Sequence, residues 1–366
     1  MKYVETLSHK AYELKLYLTR VKTAIFPLST QDSPRIRLVN LLFLFFPYIK
    51  VLVEMQPLLT IGIPTYNRAK FLQAQLKWLA EAVKGFEEQC EVFVSDNCST
   101  DETSKVIEEW EKDLHEINFR WNRNDQNVGL MNNIKCCMEA ASGKYIWTIG
   151  DDDPISPEAI GYVVKTLTSF PNLTWLNLNF SCRDGISDKL IFERCYAVEV
   201  EQVYEDGKTI FQNCLRLNNS GVGVMTAQVY RSDLARQALQ SWPNLINGEV
   251  QVFWTGYCAF HGSVAVSKNT YFEYVAGTAS WMRNKKQLLR MHYTYLPEVF
   301  VKISDIGYPK EFCRSLIMNH FFKNNWRVFF GAMRRWPILT TKVISRYLLL
   351  FCRVCFCTNW PFVKYL

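Results

Sequence analysis

Three consecutive aspartates, Asp151, Asp152 and Asp153, end an apolar run in the sequence YIWTIGDDD. Their carboxylates repel one another, and no basic residue lies near them in the sequence. Closely spaced carboxylates are stable together when a hard cation such as Mg²⁺ or Mn²⁺ binds between them and a phosphate. The triplet therefore indicates a metal and phosphate site, with a solvated acidic turn as the alternative.

Helix capping is an ordinary role for such residues, because Asp is a favourable N-cap. The helix that is predicted after the triplet already has Ser156 as its N-cap, Pro157 at its first position and Glu158 beside it. The aspartates are therefore not needed as caps, and their place in the fold must decide their role.

The hydrophobic pattern around the triplet alternates short apolar strands with helical segments. Strands are predicted at 58–63, where Pro64 ends the run, and at 90–96, 117–122 and 144–150. Repeated β-α units of this kind predict an α/β fold with a Rossmann-like sheet covered by helices.

The second half of the chain has a more varied pattern. It predicts strands at 173–180, 223–230 and 263–274, a helix at 248–260, and helices from about residue 284 to the end.

A polar cluster follows each of the first four predicted strands, at residues 65–68, 95–97, 127–129 and 151–153. In open α/β sheets, ligands bind beyond the carboxyl ends of the strands. We therefore expect the four clusters to form one ligand site that includes the aspartates.

Four segments in this order, IPTYNRAKFL, VSDNCSTDET, NVGLMNN and YIWTIGDDD, resemble the family 2 glycosyltransferases with a GT-A fold. The resemblance covers about residues 58–160, and the sequence to about residue 275 fits the acceptor half of the family in outline. Within the family it is similar to the O-antigen and polysaccharide branch, including abequosyltransferase-like members. It implies a GT-A fold, a mixed sheet flanked by helices, here with a basic α-helical C-terminal extension.

The resemblance implies roles for the polar residues at the strand ends in binding a nucleotide-sugar. The implied donor site consists of Pro64, Thr65, Tyr66, Asn67, Arg68, Asp96, Asn127, Gly129, Asp151 and Asp152. Tyr66 would pack near the base, and Asp96 would accept a hydrogen bond from it. Gly129 would let the backbone approach the nucleotide. Ser95 departs from the family pattern, in which two adjacent acids are common.

The resemblance also implies that Asp151 and Asp153 frame a D-x-D motif that binds Mn²⁺ or Mg²⁺. Asp153 would be the direct metal ligand, and Asp151 would lie near the ribose and the metal. The residue type agrees with the hard-cation chemistry inferred from the triplet.

An inverting transfer needs a carboxylate that takes a proton from the acceptor hydroxyl. By the resemblance, Glu249 in LINGEVQVFW is the expected catalytic base, although Val250 follows it where a second acid is common. A first-turn Glu favoured by the helix dipole is the alternative. Asp233 and Glu273 are weaker candidates for the same role.

Charge is distributed unevenly along the chain, whose net charge is +7. Residues 312–366 contain nine Lys and Arg and no Asp or Glu, and residues 1–56 contain eight Lys and Arg against four acids. Basic, aromatic flanks predict docking on a membrane surface, with a helical lid as one alternative. Nucleic acid is disfavoured because the body is acidic and contains no nucleic-acid module.

The twelve cysteines show no regular spacing, which predicts reduced thiols in a cytosolic protein. No cleavable signal peptide is visible at the start. The apolar stretch 38–53 is interrupted by Pro47 and Lys50 and is predicted to lie in a membrane interface rather than to cross it. We therefore expect a cytoplasmic protein, peripheral at the cytoplasmic face of the membrane.

These observations predict three parts: a basic amphipathic N-terminal segment (1–56), a GT-A domain (57–275, with a donor half 57–160 and an acceptor half 161–275) and a basic helical tail (276–366). We expect metal-dependent, inverting transfer of a hexosyl or deoxyhexosyl group from a nucleotide-sugar, UDP by default. The acceptor would be a glycan or lipid-linked saccharide in cell-surface polysaccharide biosynthesis. The alternatives are transfer to polyprenyl phosphate and a catalytically silent GT-A domain that acts as a membrane-bound assembly partner.

Overall fold

The computed structural model describes residues 56–114, 116–243, 247–277, 284–323 and 326–356. The described residues from Leu58 onward belong to one compact unit. The segment 1–55, which carries the predictions of an amphipathic N-terminus and of an interfacial stretch at 38–53, lies outside the described residues.

The described part of the chain contains a nine-stranded mixed sheet in the order β3-β2-β1-β4-β8-β5-β9-β7, with β6 paired to β5. The strands are β1 Leu59–Thr65, β2 Cys90–Asp96, β3 Asn118–Arg123, β4 Tyr145–Thr148, β5 Trp175–Asp184, β6 Leu190–Phe192, β7 Val203–Tyr204, β8 Gln228–Arg231 and β9 Val264–Ala276. Strands β3, β2, β1 and β4 are parallel, whereas β8 runs antiparallel between β4 and β5. The carboxyl ends of the four parallel strands therefore share one edge.

Helices cover both halves of the sheet and continue to the end of the described chain. They are α1 Ala69–Ala82, α2 Thr103–Asp113, α3 Leu130–Ala140, α4 Ala159–Ser169, α5 Gly207–Leu217, α6 Asn219–Gly223, α7 Ser232–Ser241, α8 Val250–Phe260, α9 Lys285–Arg290, α10 Leu296–Ile306, α11 Lys310–Lys323, α12 Arg327–Arg335 and α13 Pro337–Phe356. A π-helical turn, Met291–Tyr295, joins α9 to α10.

The first strand runs through Pro64 to Thr65, so the prediction that Pro64 ends it was wrong. Ile149 N donates to Gly62 O, which places the even-numbered residues of β1 on the side of β4. Pro64 lies past the paired part of β4, which ends at Thr148. Its missing N–H therefore leaves no partner unsatisfied, and the strand continues.

Two further boundaries differ from the predictions. Helix α4 begins at Ala159 with Glu158 as N-cap, two residues later than the Pro157 start. The predicted strand 223–230 is shorter and later, since the observed strand is Gln228–Arg231. The Gln228 side chain donates to the carbonyls of Gly221 and Val224 at 2.8 and 3.0 Å, which stabilises the turn before β8.

The helices after residue 284 pack against the body. Leu296, Val299 and Phe300 of α10 belong to the same buried cluster as Phe253 and Trp254 of α8. This packing agrees with the lid interpretation of the basic tail. No helix among the described residues is long and apolar enough to span a bilayer.

A buried carboxylate connects the three outer strands of the parallel half. Glu91 on β2 is fully buried and accepts from Thr60 on β1 at 3.0 Å and from Asn118 on β3 at 3.0 Å. Arg120 donates to both carboxylate oxygens, at 2.9 and 3.1 Å, and Ser142 N donates at 3.2 Å. The charge of Glu91 is therefore satisfied entirely by groups that hold the sheet together.

Replacing Arg120 with Met should destabilise the fold, because Glu91 then keeps a buried charge without its ion-pair partner. We expect a loss of about 2–3 kcal/mol in the free energy of unfolding, measured by urea denaturation. The exposed ion pair of Lys84 with Glu81 offers a matched control, and Lys84→Met should change stability by less than about 1 kcal/mol. Equal losses for the two variants would contradict the structural role of Glu91.

Candidate functional site

The loop after β1 contacts the aspartates after β4, as expected for neighbouring parallel strands. Thr65 Oγ1 donates to Asp151 Oδ2 at 2.8 Å, and Arg68 Nε lies 2.8 Å from Asp151 Oδ1. The Arg68 guanidinium also contacts the Asp152 carboxylate. Arg68 is therefore the cation that neutralises the exposed side of the triplet.

The loops after β1 and β2 are held together by Asn67, whose backbone adopts a left-handed conformation (φ 52°). Asn67 N donates to Ser99 Oγ at 2.8 Å, and Thr100 N donates to Asn67 Oδ1 at 2.7 Å. Tyr66 beside it is 40% exposed. Asn67 thus has a structural role, and Tyr66 presents its ring at the surface of the same edge.

Asp96 is fully buried at the end of β2. Its carboxylate accepts from Ser99 N at 3.0 Å and lies 3.4 Å from Ser104 Oγ and 3.6 Å from Arg123 Nη1. Both oxygens therefore contact protein groups that shape the turn into α2. The predicted contact with a nucleotide base would have to be made in addition to these.

An asparagine network joins the second and third polar clusters. Asn97 donates to Asn127 Oδ1 at 2.9 Å and accepts from Val128 N at 2.8 Å. Asn133 on α3 accepts from Ser95 Oγ at 2.8 Å, so Ser95 has a partner within the protein. Gly129 has a φ of 83°, and no atom lies within 4 Å of where a Cβ would stand, so its backbone faces open space.

Asp153 turns away from Asp151 and binds the turn before β8. Thr226 Oγ1 donates to Asp153 Oδ2, and Gly150 N lies 3.3 Å from the same oxygen. Sequence reasoning missed Thr226, because it lies far from the triplet along the chain. The antiparallel pairing of β8 with β4 brings it there.

Burial raises the pKa of both aspartates. For Asp151 burial outweighs the opposing effects of Arg68 and Thr65 and raises the pKa to about 7. Burial also raises the pKa of Asp153, against the hydrogen bond from Thr226. Strongly raised carboxyl pKa values of this kind are typical of functional sites.

The fit of a divalent cation differs between the two carboxylates. Among the described residues, no three Asp, Glu, His or Cys side chains form a ready metal cluster. Asp151 already contacts Thr65 and Arg68 with its two oxygens, so it could bind a metal only if Arg68 moved. The hydrogen bonds to Asp153 from the described residues fall on Oδ2. Its Oδ1 is a hard oxygen, the kind of ligand that suits Mg²⁺ or Mn²⁺.

Glu249 lies at the N-cap of α8, and burial alone raises the pKa of its carboxyl to about 7. It lines a cavity of 1140 Å³ between α8, the end of α5 and helices α9 to α12. Both Glu249 and Asp153 raise the pKa of Tyr274 on β9 electrostatically, after burial.

The two alternative bases are engaged elsewhere. Asp233 lies 2.8 Å from Arg231 Nε and accepts from Leu234 N at 2.8 Å. Glu273 lies 3.1 Å from Arg183 Nε. Both carboxylates are paired with arginines, so neither is as available as Glu249 to accept a proton from a substrate.

Comparison with known proteins agrees with this arrangement. The family model described as Glycosyl transferase family 2 matches residues 60–236. The chain is 31% identical over 112 residues to an abequosyltransferase of Salmonella typhimurium, which is 31% of this chain and 33% of that protein. It is 28% identical over 109 residues to the GalNAc(5)-diNAcBac-PP-undecaprenol beta-1,3-glucosyltransferase of Campylobacter jejuni, 30% of this chain and 34% of that protein. The matches thus span about a third of these relatives.

The fold is also similar to that of a solved structure. S. aureus TarS 1-349 in complex with UDP-GlcNAc superposes with a TM-score of 0.57 at 15% identity, covering 81% of this chain and 82% of that chain. The prediction of a GT-A fold is confirmed by this similarity and by the mixed sheet with its flanking helices.

The raised pKa of Glu249 should appear as a pH-dependent difference in stability between the wild-type protein and Glu249→Gln. Between the ordinary pKa of 4.5 and about 7, the unfolded chain releases the Glu249 proton while the folded protein keeps it. The free energy of unfolding of the wild type therefore falls as pH rises through this window. The glutamine variant does not lose stability in this way. By pH 7.5 its free energy of unfolding should exceed that of the wild type by about 3 kcal/mol more than it does at pH 4.

Urea denaturation at pH 4, 5, 6, 7 and 8 measures this difference, and other groups cancel because both proteins carry them. Glu158→Gln is the control, because a hydrogen bond from Ser156 lowers the pKa of Glu158. The stability difference for that variant should be flat from pH 5 to 8. A flat difference for Glu249→Gln as well would contradict the buried, unpaired state of its carboxyl.

Proposed function

We propose that this chain, whose residues 60–236 form a family 2 glycosyltransferase domain, is a metal-dependent inverting glycosyltransferase. It transfers a sugar from a nucleotide-sugar, UDP by default, to a glycan or lipid-linked saccharide in cell-surface polysaccharide biosynthesis. The observation that carries the proposal is the meeting of Thr65, Arg68 and Thr226 around Asp151 and Asp153 at the carboxyl edge of the parallel strands. The relatives, which include sugar transferases and a protein solved with UDP-GlcNAc, support the reaction class.

The donor would bind along this edge. Tyr66 offers an exposed ring for the base, and Asp96 and Asn127 lie on the neighbouring loops. Gly129 leaves its backbone open toward the same side. The diphosphate would lie nearest the aspartates, where Arg68 supplies a positive charge.

Asp153 is the proposed protein ligand of Mn²⁺ or Mg²⁺, through its Oδ1, with Asp151 as a nearby partner. The bound cation would stabilise the charge on the departing nucleoside diphosphate. Asp152 is exposed and forms an ion pair with Arg68. We therefore propose that Asp152 holds the Arg68 guanidinium in position.

Glu249 is the proposed base. Its pKa of about 7 suits a group that must accept a proton near neutral pH. The carboxylate takes the proton of the acceptor hydroxyl as the oxygen bonds to the anomeric carbon. The bond from that carbon to the diphosphate breaks, the configuration inverts, and the proton later passes from Glu249 to water.

The protein is proposed to act at the cytoplasmic face of the membrane. Phe322, Phe330 and Ile338 on the C-terminal helices are 70%, 75% and 74% exposed. Basic side chains such as Arg334 and Lys342 lie on the same helices. Exposed aromatics interspersed with cations are typical of helices that bind a membrane surface.

Asp153→Asn should abolish metal-dependent donor binding, because the amide oxygen is a much weaker ligand than a carboxylate. A thermal-shift screen of UDP-, dTDP-, GDP- and CDP-sugars with and without Mn²⁺ measures it. Wild type should respond to one nucleotide class with Mn²⁺, and the variant should lose the response. Asp113→Asn, on the exposed end of α2, should keep it. A wild-type protein that responds to no donor would contradict the donor site.

Glu249→Gln should bind the donor as wild type does but lose transfer by about a hundredfold or more, the usual contribution of a general base. Product formation from the identified donor and membrane extracts measures it. Exposed Glu205→Gln serves as the control. Retained transfer would favour polyprenyl phosphate as acceptor, since that anion needs no strong base. A wild-type protein that binds the donor without transfer or hydrolysis would favour the silent assembly partner.

A further inference from the structure

The cavity beside Glu249 is larger than a monosaccharide acceptor needs. Its volume of 1140 Å³ exceeds the range of about 300–1000 Å³ typical of ligand pockets. Glu249 lies on one wall, and helices α9 to α12 form the others. Whatever binds here reaches from the proposed base into the basic helical region.

The walls of the cavity are mostly apolar. Side chains from five different elements contribute, among them Leu215, Leu288, Phe300, Leu316, Val328 and Trp336. Gly331 on α12 also lines it, and no atom lies within 4 Å of where its Cβ would stand. The missing side chain thus keeps this wall open. Such a lining favours a hydrocarbon chain over a soluble sugar.

Four cations line the same cavity: Arg216, Lys285, Lys323 and Arg335. Among the described residues none of the four forms an ion pair, although Arg216 stacks on Phe312 at 4.9 Å and Arg335 on Trp336 at 5.7 Å. Glu249 is the single carboxylate of the lining. All four are exposed, so the cavity carries an excess of positive charge at its solvent-facing rim, which favours an anionic group on the ligand.

Helix α12 forms one wall of the cavity, and this wall is partly exposed to solvent. Val328, Gly331 and Arg335 line the cavity at helical spacing, and Val328 is 47% exposed. Phe330 and Met333 do not line it and are 75% and 38% exposed. Apolar side chains therefore lie both in the cavity and on the neighbouring surface of α12, an arrangement suited to a ligand that arrives from a lipid phase.

We propose that this cavity binds the lipid part of the acceptor, a long hydrocarbon chain joined through phosphate or diphosphate to a saccharide. The chain lies along the apolar walls, the phosphate contacts Lys323 and Arg335, and the saccharide hydroxyl reaches Glu249. This inference deepens the proposed function and rests on it for the role of Glu249. The binding of the amphiphile itself depends only on the cavity.

Equilibrium binding of tritiated geranylgeranyl diphosphate to the full chain, without donor, tests the proposal. The amphiphile should bind at least about tenfold more tightly than either geranylgeraniol or inorganic diphosphate, because each of these lacks one half of the recognition. If inorganic diphosphate binds as tightly as geranylgeranyl diphosphate, the site recognises only the anion, and the proposal is overturned. Equal affinity for geranylgeraniol would overturn it too, since the cations would then have no role.

Gly331→Leu adds a bulky apolar side chain to the lining, at a position where no atom lies within 4 Å of the new Cβ, and should weaken amphiphile binding about tenfold or more. Leucine has the higher helix propensity, so a thermal midpoint no lower than wild type verifies the fold. Lys323→Gln with Arg335→Gln should weaken binding about tenfold by removing contacts to the phosphate. The control pair Lys310→Gln with Arg314→Gln removes the same charge from α11 residues outside the lining and should have no effect.

Unchanged binding in the cavity variants, or equal losses in the control pair, would contradict the assignment. The outcome is separable from that of the proposed function. Loss of the Asp153-dependent donor response leaves amphiphile binding untouched. An empty cavity in a protein that transfers sugar to a water-soluble glycan would overturn the lipid assignment and keep the glycosyltransferase.

Discussion

The burial of negative charge at the carboxyl end of β4 is the constraint on which the rest of the site depends. A carboxylate withdrawn from water costs several kcal/mol unless protein groups or a cation replace the water. The chain supplies Thr65 and Arg68 to Asp151 from the loop after β1, and Thr226 to Asp153 from the turn before β8. Strand β4 lies between β1 and β8, so the order of the sheet is what assembles the site.

Three buried carboxyls of this protein differ in how fully their charge is compensated, and the difference separates structure from function. Glu91 is paired with Arg120 and several hydrogen-bond donors that hold the sheet. Asp151 has one cation and one hydroxyl, yet burial still raises its pKa to about 7. Within the described part of the chain, no charged or hydrogen-bonding group offsets the desolvation of Glu249, whose pKa is raised to a similar value. A carboxyl in a cleft whose charge protein groups compensate only in part is a candidate for binding a substrate or a cation.

Sequence reasoning located the parallel half of the sheet well, because its signals are local. The apolar core of the strand Cys90–Asp96 can be recognised from neighbouring residues alone. The same holds for the polar residues that follow each strand. Thr226 could not be found this way, since the pairing of the distant strand β8 with β4 places it against Asp153. The pairing of Arg68 with Asp151 was hidden for the same reason, although both residues belonged to the predicted donor site. The prediction that Pro64 ends β1 was wrong because a proline interrupts a strand only where a neighbouring strand needs its missing N–H, and sequence alone does not show whether such a strand is present.

The acceptor side of the molecule depends on helices that composition alone would assign to a separate tail. A Cβ on Gly248 would lie 2.7 Å from Met291 Cε, so the turn that carries Glu249 packs directly against the π-helical turn. Helix α8 shares its core with α10 as well. The basic residues of these helices lie mainly on the surface, whereas their apolar residues determine what the helices pack against. The family match ends at residue 236, so Glu249 and the cavity lie outside it, and their roles are inferred from the geometry of this chain.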